Sequence, residues 1–208
     1  MNDLMSYLND SARHIHDGPK GGFIVSLSHV YKTDLEDLWD ACTNPQRLPR
    51  WFLPVTGDLS VGGHYQLEGN ASGTIKSCEP PRALLVSWEF DDKYSELEAL
   101  LESEGEHARL TLKHFVPDDE HWAEFGPAAT GIGWDMALGS LAAHTVGTEF
   151  GRSPEWFESD EAVSFMSQSA QQWTQAHIDS GADIAEAKAM AARTINVYTG
   201  GQEGSERE

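Results

Sequence analysis

The stretch VTGDLSVGGHYQLEGNASGTIKSCEPPRALLVSWEF, residues 55–90, decides the fold class. It divides into four short runs: VTGDLSV (55–61), HYQLEG (64–69), GTIKSCE (73–79) and ALLVSWEF (83–90). Gly62-Gly63, Asn70 to Gly73 and Pro80-Pro81 separate them. Short β-prone runs bounded by Gly, Asn and Pro predict successive antiparallel strands. Glycines at 62, 63, 69 and 73 permit strand bends, so the sheet is expected to curve.

Upstream, FIVSLSHVY (23–31) is rich in β-branched and aromatic residues and predicts another strand. TDLE follows as a capping box, with Thr33 as the cap and Glu36 returning the bond. Leu35, Leu38, Trp39 and Cys42 then recur at helical spacing until Asn44-Pro45. Residues 1–20 read as a short helix and a linker ending in DGPKGG. Downstream, SELEALLESE favours helix by composition, while the clean alternation of HARLTLKHFV after Gly105 makes a two-strand hairpin the competing reading. TGIGWDMALGSLAAHTVG places Trp134, Leu138, Leu141 and Thr145 on one stripe of a long helix over 131–147. Beyond residue 151 come two amphipathic helices up to about 200, and a polar tail at 201–208 expected to be disordered. The class is α+β, with helices on one face of an antiparallel sheet of about six to seven strands.

The formal charge of −20 opposes phosphate backbones and anionic lipid, so neither nucleic acid nor a membrane surface is an expected partner. Cys42 and Cys78 lack metal-ligand spacing and read as free thiols of a reducing, cytoplasmic protein. No motif calls for a cofactor or a covalent nucleophile: GIGW lacks the third glycine of a dinucleotide fingerprint, and no serine stands in a G-x-S-x-G elbow. His14-Ile15-His16 has two metal-ligating side chains but no accompanying cluster.

The motifs W-D-A, N-P, W-F, G-G-x-Y, P-P-R-x-L and W-E-F follow one another between Trp39 and Phe90, with LTLKHF and GPAATGIGWDMALGSLAAH further on. In this order the chain resembles the START/Bet v 1-like superfamily, within it the bacterial branch related to the activator of Hsp90 ATPase. The resemblance implies a helix-grip domain over 21–150, a curved sheet around a long helix, with the 151–200 helices outside it. It implies either a hydrophobic small molecule held in an internal cavity, a chaperone-cofactor role with a protein partner, or a cyclase- or hydrolase-type enzyme. A monomer and a homodimer are both compatible with these readings.

Strand parity then nominates the cavity. Leu84, Val86, Trp88 and Phe90 share one face, as do Leu110, Leu112 and His114. If these faces meet the stripe on the long helix, a pocket would be bounded by Tyr65, Trp88, Phe90, Leu112, His114, Trp134, Leu138 and Leu141, its mouth covered by Trp51 and Phe52 from the proline-punctuated segment 44–54. The competing reading is that the same rings fill the space as core. His114 is either a proton acceptor for a ligand or a core histidine bonded to a carbonyl or to Tyr65. Asp135 falls in the expected first helical turn, where it would complement the macrodipole.

Overall fold

Eight strands form one antiparallel sheet in the computed structural model, which describes residues 2–19, 21–148 and 153–200. They are β1 (Ala12–Asp17), β2 (Phe23–Tyr31), β3 (Val55–Gly57), β4 (His64–Leu67), β5 (Ser72–Glu79), β6 (Ala83–Phe90), β7 (Lys93–Glu104) and β8 (His107–Val116). Their spatial order is β1-β2-β8-β7-β6-β5-β4-β3. The meander from β3 to β8 therefore closes against β2, and β1 and β3 are the edges. The α+β helix-grip architecture is the one expected.

One reading left open by the sequence and one difference from it have clear causes. SELEALLESE lies within β7, because pairing with β6 and β8 on both sides outweighs its helical propensity. Asp91 and Asp92, with φ of 52° and 60°, make the two-residue turn that sets this register. The eighth strand is β1, where a helix and linker were expected. Its inward positions are Arg13, Ile15 and Asp17, so no apolar alternation marks it.

The helices are α1 (Asn2–Asp10), α2 (Leu35–Thr43), α3 (Glu120–Phe125), α4 (Ala128–Thr145), α5 (Pro154–Phe157), α6 (Asp160–Asp179) and α7 (Ile184–Tyr198), with a 3-10 turn at Leu48–Arg50. The cap of α2 is Asp34 rather than Thr33. Its side chain accepts from the Asp37 N–H at 2.9 Å, while the Thr33 hydroxyl donates to the Asp37 carboxylate. The expected tail at 201–208 and the junction at 149–152 lie outside the described residues.

Helix α4 starts a turn earlier than expected and is buried on more than one stripe: Trp134, Leu138 and Leu141 are buried, but so are Gly131, Ile132 and Asp135. One side meets the sheet and the other meets α6. Asp135 is thus mid-helix and fully buried, which overturns the macrodipole reading. It accepts from Arg13 Nε and Nη2, from the Ser169 hydroxyl and from the Trp173 indole N–H. Burial pushes its carboxyl up, and these donors pull it back.

The register lines up two inward rows across the sheet. One runs Arg13, Leu27, Leu112, Ala99, Leu84, Cys78; the other runs Ile15, Val25, His114, Leu97, Val86, Ile75. An irregularity between Ile75 and Ser77 marks where β5 bends. Each fully buried large side chain of the concave face, such as Leu27 or Leu110, contributes about 1.5–3 kcal/mol of burial.

Candidate functional site: an apolar cavity under helix α2

A cavity of about 180 Å³ lies between α2, the loop carrying Phe52, and the concave face of β4 to β8. Its sheet wall is built from the two rows: Cys78, Leu84, Ala99 and Leu112 from one, Ile75, Val86 and Leu97 from the other. Trp39, Cys42 and Leu48 descend on it from α2 and the 3-10 turn, and Trp134 closes one end from α4. The segment 44–54 reaches this place because Arg47 ties it down. Its Nη1 donates to Asp37 Oδ1 at 2.7 Å and Asp40 Oδ2 at 3.0 Å, and its Nε to His144 Nε2 on α4.

The structure sorts the residues nominated from sequence. Phe52, Tyr65, Trp88, Leu112 and Trp134 line the cavity together. Trp88 meets Trp134 edge-on with centroids 5.3 Å apart, and Phe52 stands 5.9 Å from Trp134. The five others do not line it. Trp51 is core, its indole N–H donating to the Ala41 carbonyl at 2.9 Å, while its neighbour Phe52 takes the cavity side. Leu138 and Leu141 sit one and two turns past Trp134 on α4, beyond the cavity's end, and pack into the main core. Phe90 has the correct parity but stands at the end of β6 beside the Asp91-Asp92 turn, where it is 53% exposed.

His114 is buried behind the tryptophans. Trp134 Nε1 lies 3.1 Å from its Nδ1 and the Ser95 hydroxyl 2.8 Å from its Nε2. An indole N–H only donates, so Nδ1 is the acceptor and the proton sits on Nε2. That N–H donates to Ser95 Oγ, whose own proton goes to the Trp88 carbonyl at 3.0 Å. The expected carbonyl or Tyr65 partner is therefore replaced by an indole and a serine. Burial lowers His114 from 6.5 to about 4, keeping it neutral. Tyr65 lines the cavity, yet its hydroxyl donates to the Ser87 carbonyl at 2.7 Å. Gly73 allows that approach: a Cβ there would overlap Ser87 O.

Sequence reasoning missed Cys42, Cys78, Leu97, Ala99 and Leu101 as lining residues. Parity applied to SELEALLESE in its hairpin reading would have found three of them, Leu97, Ala99 and Leu101. Both thiols are neutral: burial pushes Cys42 up to about 12 and also raises Cys78.

A larger cleft, about 640 Å³, lies between β1 and the end of α6, walled by His14, His16, Asp17, His177 and Asp179 among others. The rings of His14 and His16 stack 5.9 Å apart. Among the described residues no three His, Cys, Asp or Glu side chains come together as a metal site. Among the described residues, too, no helix is long and apolar enough to cross a membrane.

The fold has counterparts in known proteins. Among solved structures, CalU16 from Micromonospora echinospora is 32% identical in its crystal form, over 80% of this chain and 96% of that one, with a TM-score of 0.66. Its solution structure gives 31% identity, coverage of 82% and 97%, and a TM-score of 0.67. DynU16, a protein in the dynemicin biosynthetic locus, shares the fold at 20% identity over 61% of this chain and 48% of its own, with a TM-score of 0.55. Among curated proteins no sequence matches significantly. The family model described as "Activator of Hsp90 ATPase homolog 1-like protein" matches residues 32–145, more than half of the chain. With α2, the meander and α4 all inside that match, the chain belongs to the Activator of Hsp90 ATPase homolog 1-like family.

Proposed function

We propose that this chain binds a small hydrophobic molecule in the cavity under α2. The observation that carries the reading is a void that the surrounding rings leave unfilled. Phe52 and Trp88 each meet Trp134 at its end, and about 180 Å³ remains beside them. Apolar cavities near 150 Å³ take up benzene, so a single-ring or short branched molecule matches the size. Larger ligands of the kind that occupy sites above about 300 Å³ require α2 and the Phe52 loop to move outward.

His114 and Tyr65, the two groups nominated for acid–base work, have their protons committed to Ser95 and Ser87. Binding without chemistry is the function this arrangement supports best.

Calorimetric titration of the purified chain with ethylbenzene tests it. Saturable one-site binding, abolished by filling the void with Ala99→Phe in a variant that keeps its circular dichroism, is the expected result. Heats no different from buffer up to the solubility limit of ethylbenzene overturn the reading.

A further inference from the structure

The larger cleft shares no lining residue with the apolar cavity, and it follows one edge of the sheet. Strand β1 pairs with β2 on one side and with no strand on the other. Consecutive residues Arg13 to Asp17 all wall the cleft, inward and outward positions alike, so its wall is the free edge of the strand itself. Across from it the chain leaving α6 presents Ser180, Gly181 and Ala182, whose small side chains leave about 640 Å³ open beside the strand. The opposite edge, β3, is only three residues long. β1 runs for six and carries neither Lys nor Pro, the residues that usually blunt an edge.

Residues 13–17 read Arg-His-Ile-His-Asp, a pattern self-complementary about Ile15. Laid antiparallel against a second copy, Ile15 faces the partner's Ile15, each imidazole faces an imidazole, and Asp17 stands in register with the partner's Arg13. A twofold contact requires such matching, because one patch must complement itself. The Arg13 guanidinium stays on Asp135, so the imidazoles carry the contact.

His14 and His16 leave the same face of β1 and are both exposed, with ring centroids 5.9 Å apart. A metal about 2.0–2.1 Å from one nitrogen of each ring accommodates centroids roughly 6 Å apart. One chain offers only these two ligands: among the described residues no third His, Cys, Asp or Glu joins them. Directly opposite positions of paired strands bring Cβ atoms about 4.5–5.5 Å apart, so a second copy supplies the two imidazoles that are missing.

We propose that two copies of this chain pair through β1 about Ile15, and that His14 and His16 of each hold one divalent transition-metal ion, of the imidazole-binding class that includes zinc, between them. The ion is integral to the contact. Two copies carrying −20 each repel one another. A six-residue edge is also small beside the roughly 1,200 Å² that stable interfaces bury. Metal–nitrogen bonds supply what the edge lacks.

Sedimentation equilibrium of the untagged chain at neutral pH tests this. With a chelator present the chain should be a monomer. Zinc chloride should double its mass, and calorimetry should show one zinc bound per two chains. His14→Gln and His16→Gln, each on an exposed side chain, should each remove the doubling and leave the circular dichroism unchanged. Should a variant lose its fold, the unmutated chain still decides: zinc should slow amide exchange within β1 and leave β3, the other edge, unaffected.

Zinc that leaves the mass unchanged, bound or not, overturns the bridged pair. So does a doubling that survives in both variants, which puts the ion elsewhere, or one that persists in the chelator, which makes the ion dispensable.

Discussion

Arg13 and Asp135 lie 122 residues apart in sequence and meet inside the protein, Nη2 to Oδ1 at 2.6 Å, with both side chains sealed from solvent. The contact joins edge strand β1 to the middle of α4, and Ser169 and Trp173 bring α6 to the same carboxylate. Removing one partner leaves the other charge buried and uncompensated. Arg13→Ala should therefore cost about 3–5 kcal/mol in urea unfolding. Replacing both residues by apolar ones of similar volume should cost much less.

Gly131 should tolerate no side chain. A Cβ there would overlap the Trp173 ring, which is fully buried against α4. Gly131→Ala is expected to destabilise by about 1–3 kcal/mol through overpacking. Combining it with Trp173→Leu should restore part of that loss relative to Trp173→Leu alone, a coupling that a double-mutant cycle measures.

Acid should weaken the fold before its carboxylates titrate. Burial lowers both His29 and His114 from 6.5 to about 4, and lowers His144 as well. At pH 7 these rings are neutral whether the chain is folded or not. Below about 6.5 the unfolded chain takes up protons that the folded chain refuses until about 4, so stability falls as pH falls through that window. The slope from each of the two most shifted rings is at most about 1.4 kcal/mol per pH unit. His114→Gln can still accept from Trp134 and donate to Ser95. It should remove about half of that slope in urea midpoints collected between pH 7 and 4.5.

Arg47 should control the cavity's cover. It bonds to Asp37, Asp40 and His144, binding the 3-10 turn to α2 and α4 at once. Arg47→Ala is expected to cost about 1–3 kcal/mol. It should also accelerate amide exchange selectively around residues 48–52, while β2 and β8 remain protected. Arg47→Lys should not restore protection, because an ammonium cannot span the same partners with a planar fork.

Local periodicity made the sheet legible. The parity of Leu84, Val86 and Trp88, and of Leu110, Leu112 and His114, gave inward faces that match the register. What local pattern could not show was pairing over distance. Strand β1 was hidden because its inward Arg13 is satisfied by a residue on α4. Asp135 looked like a helix-start acid because its four donors come from β1 and α6. Leu138 and Leu141 lie on the expected stripe of α4, yet the cavity ends at Trp134; only the placement of α2 across the sheet decides that. Trp51 and Phe52 are adjacent, and which of them faces the void depends on the Ala41 carbonyl that captures Trp51.

The lock around Asp135 bears on where this molecule can be cut. The segment shared with the family, 32–145, contains the carboxylate but none of its four donors, which come from Arg13 upstream and from Ser169 and Trp173 downstream. Excised alone, that segment would also lose β2, the strand that seals β8, and would expose the α4 surface that α6 shields. A minimal fragment that keeps its shape must therefore reach from at least Arg13 to beyond Trp173, and shorter pieces grafted onto other carriers should aggregate through the bared α4 surface.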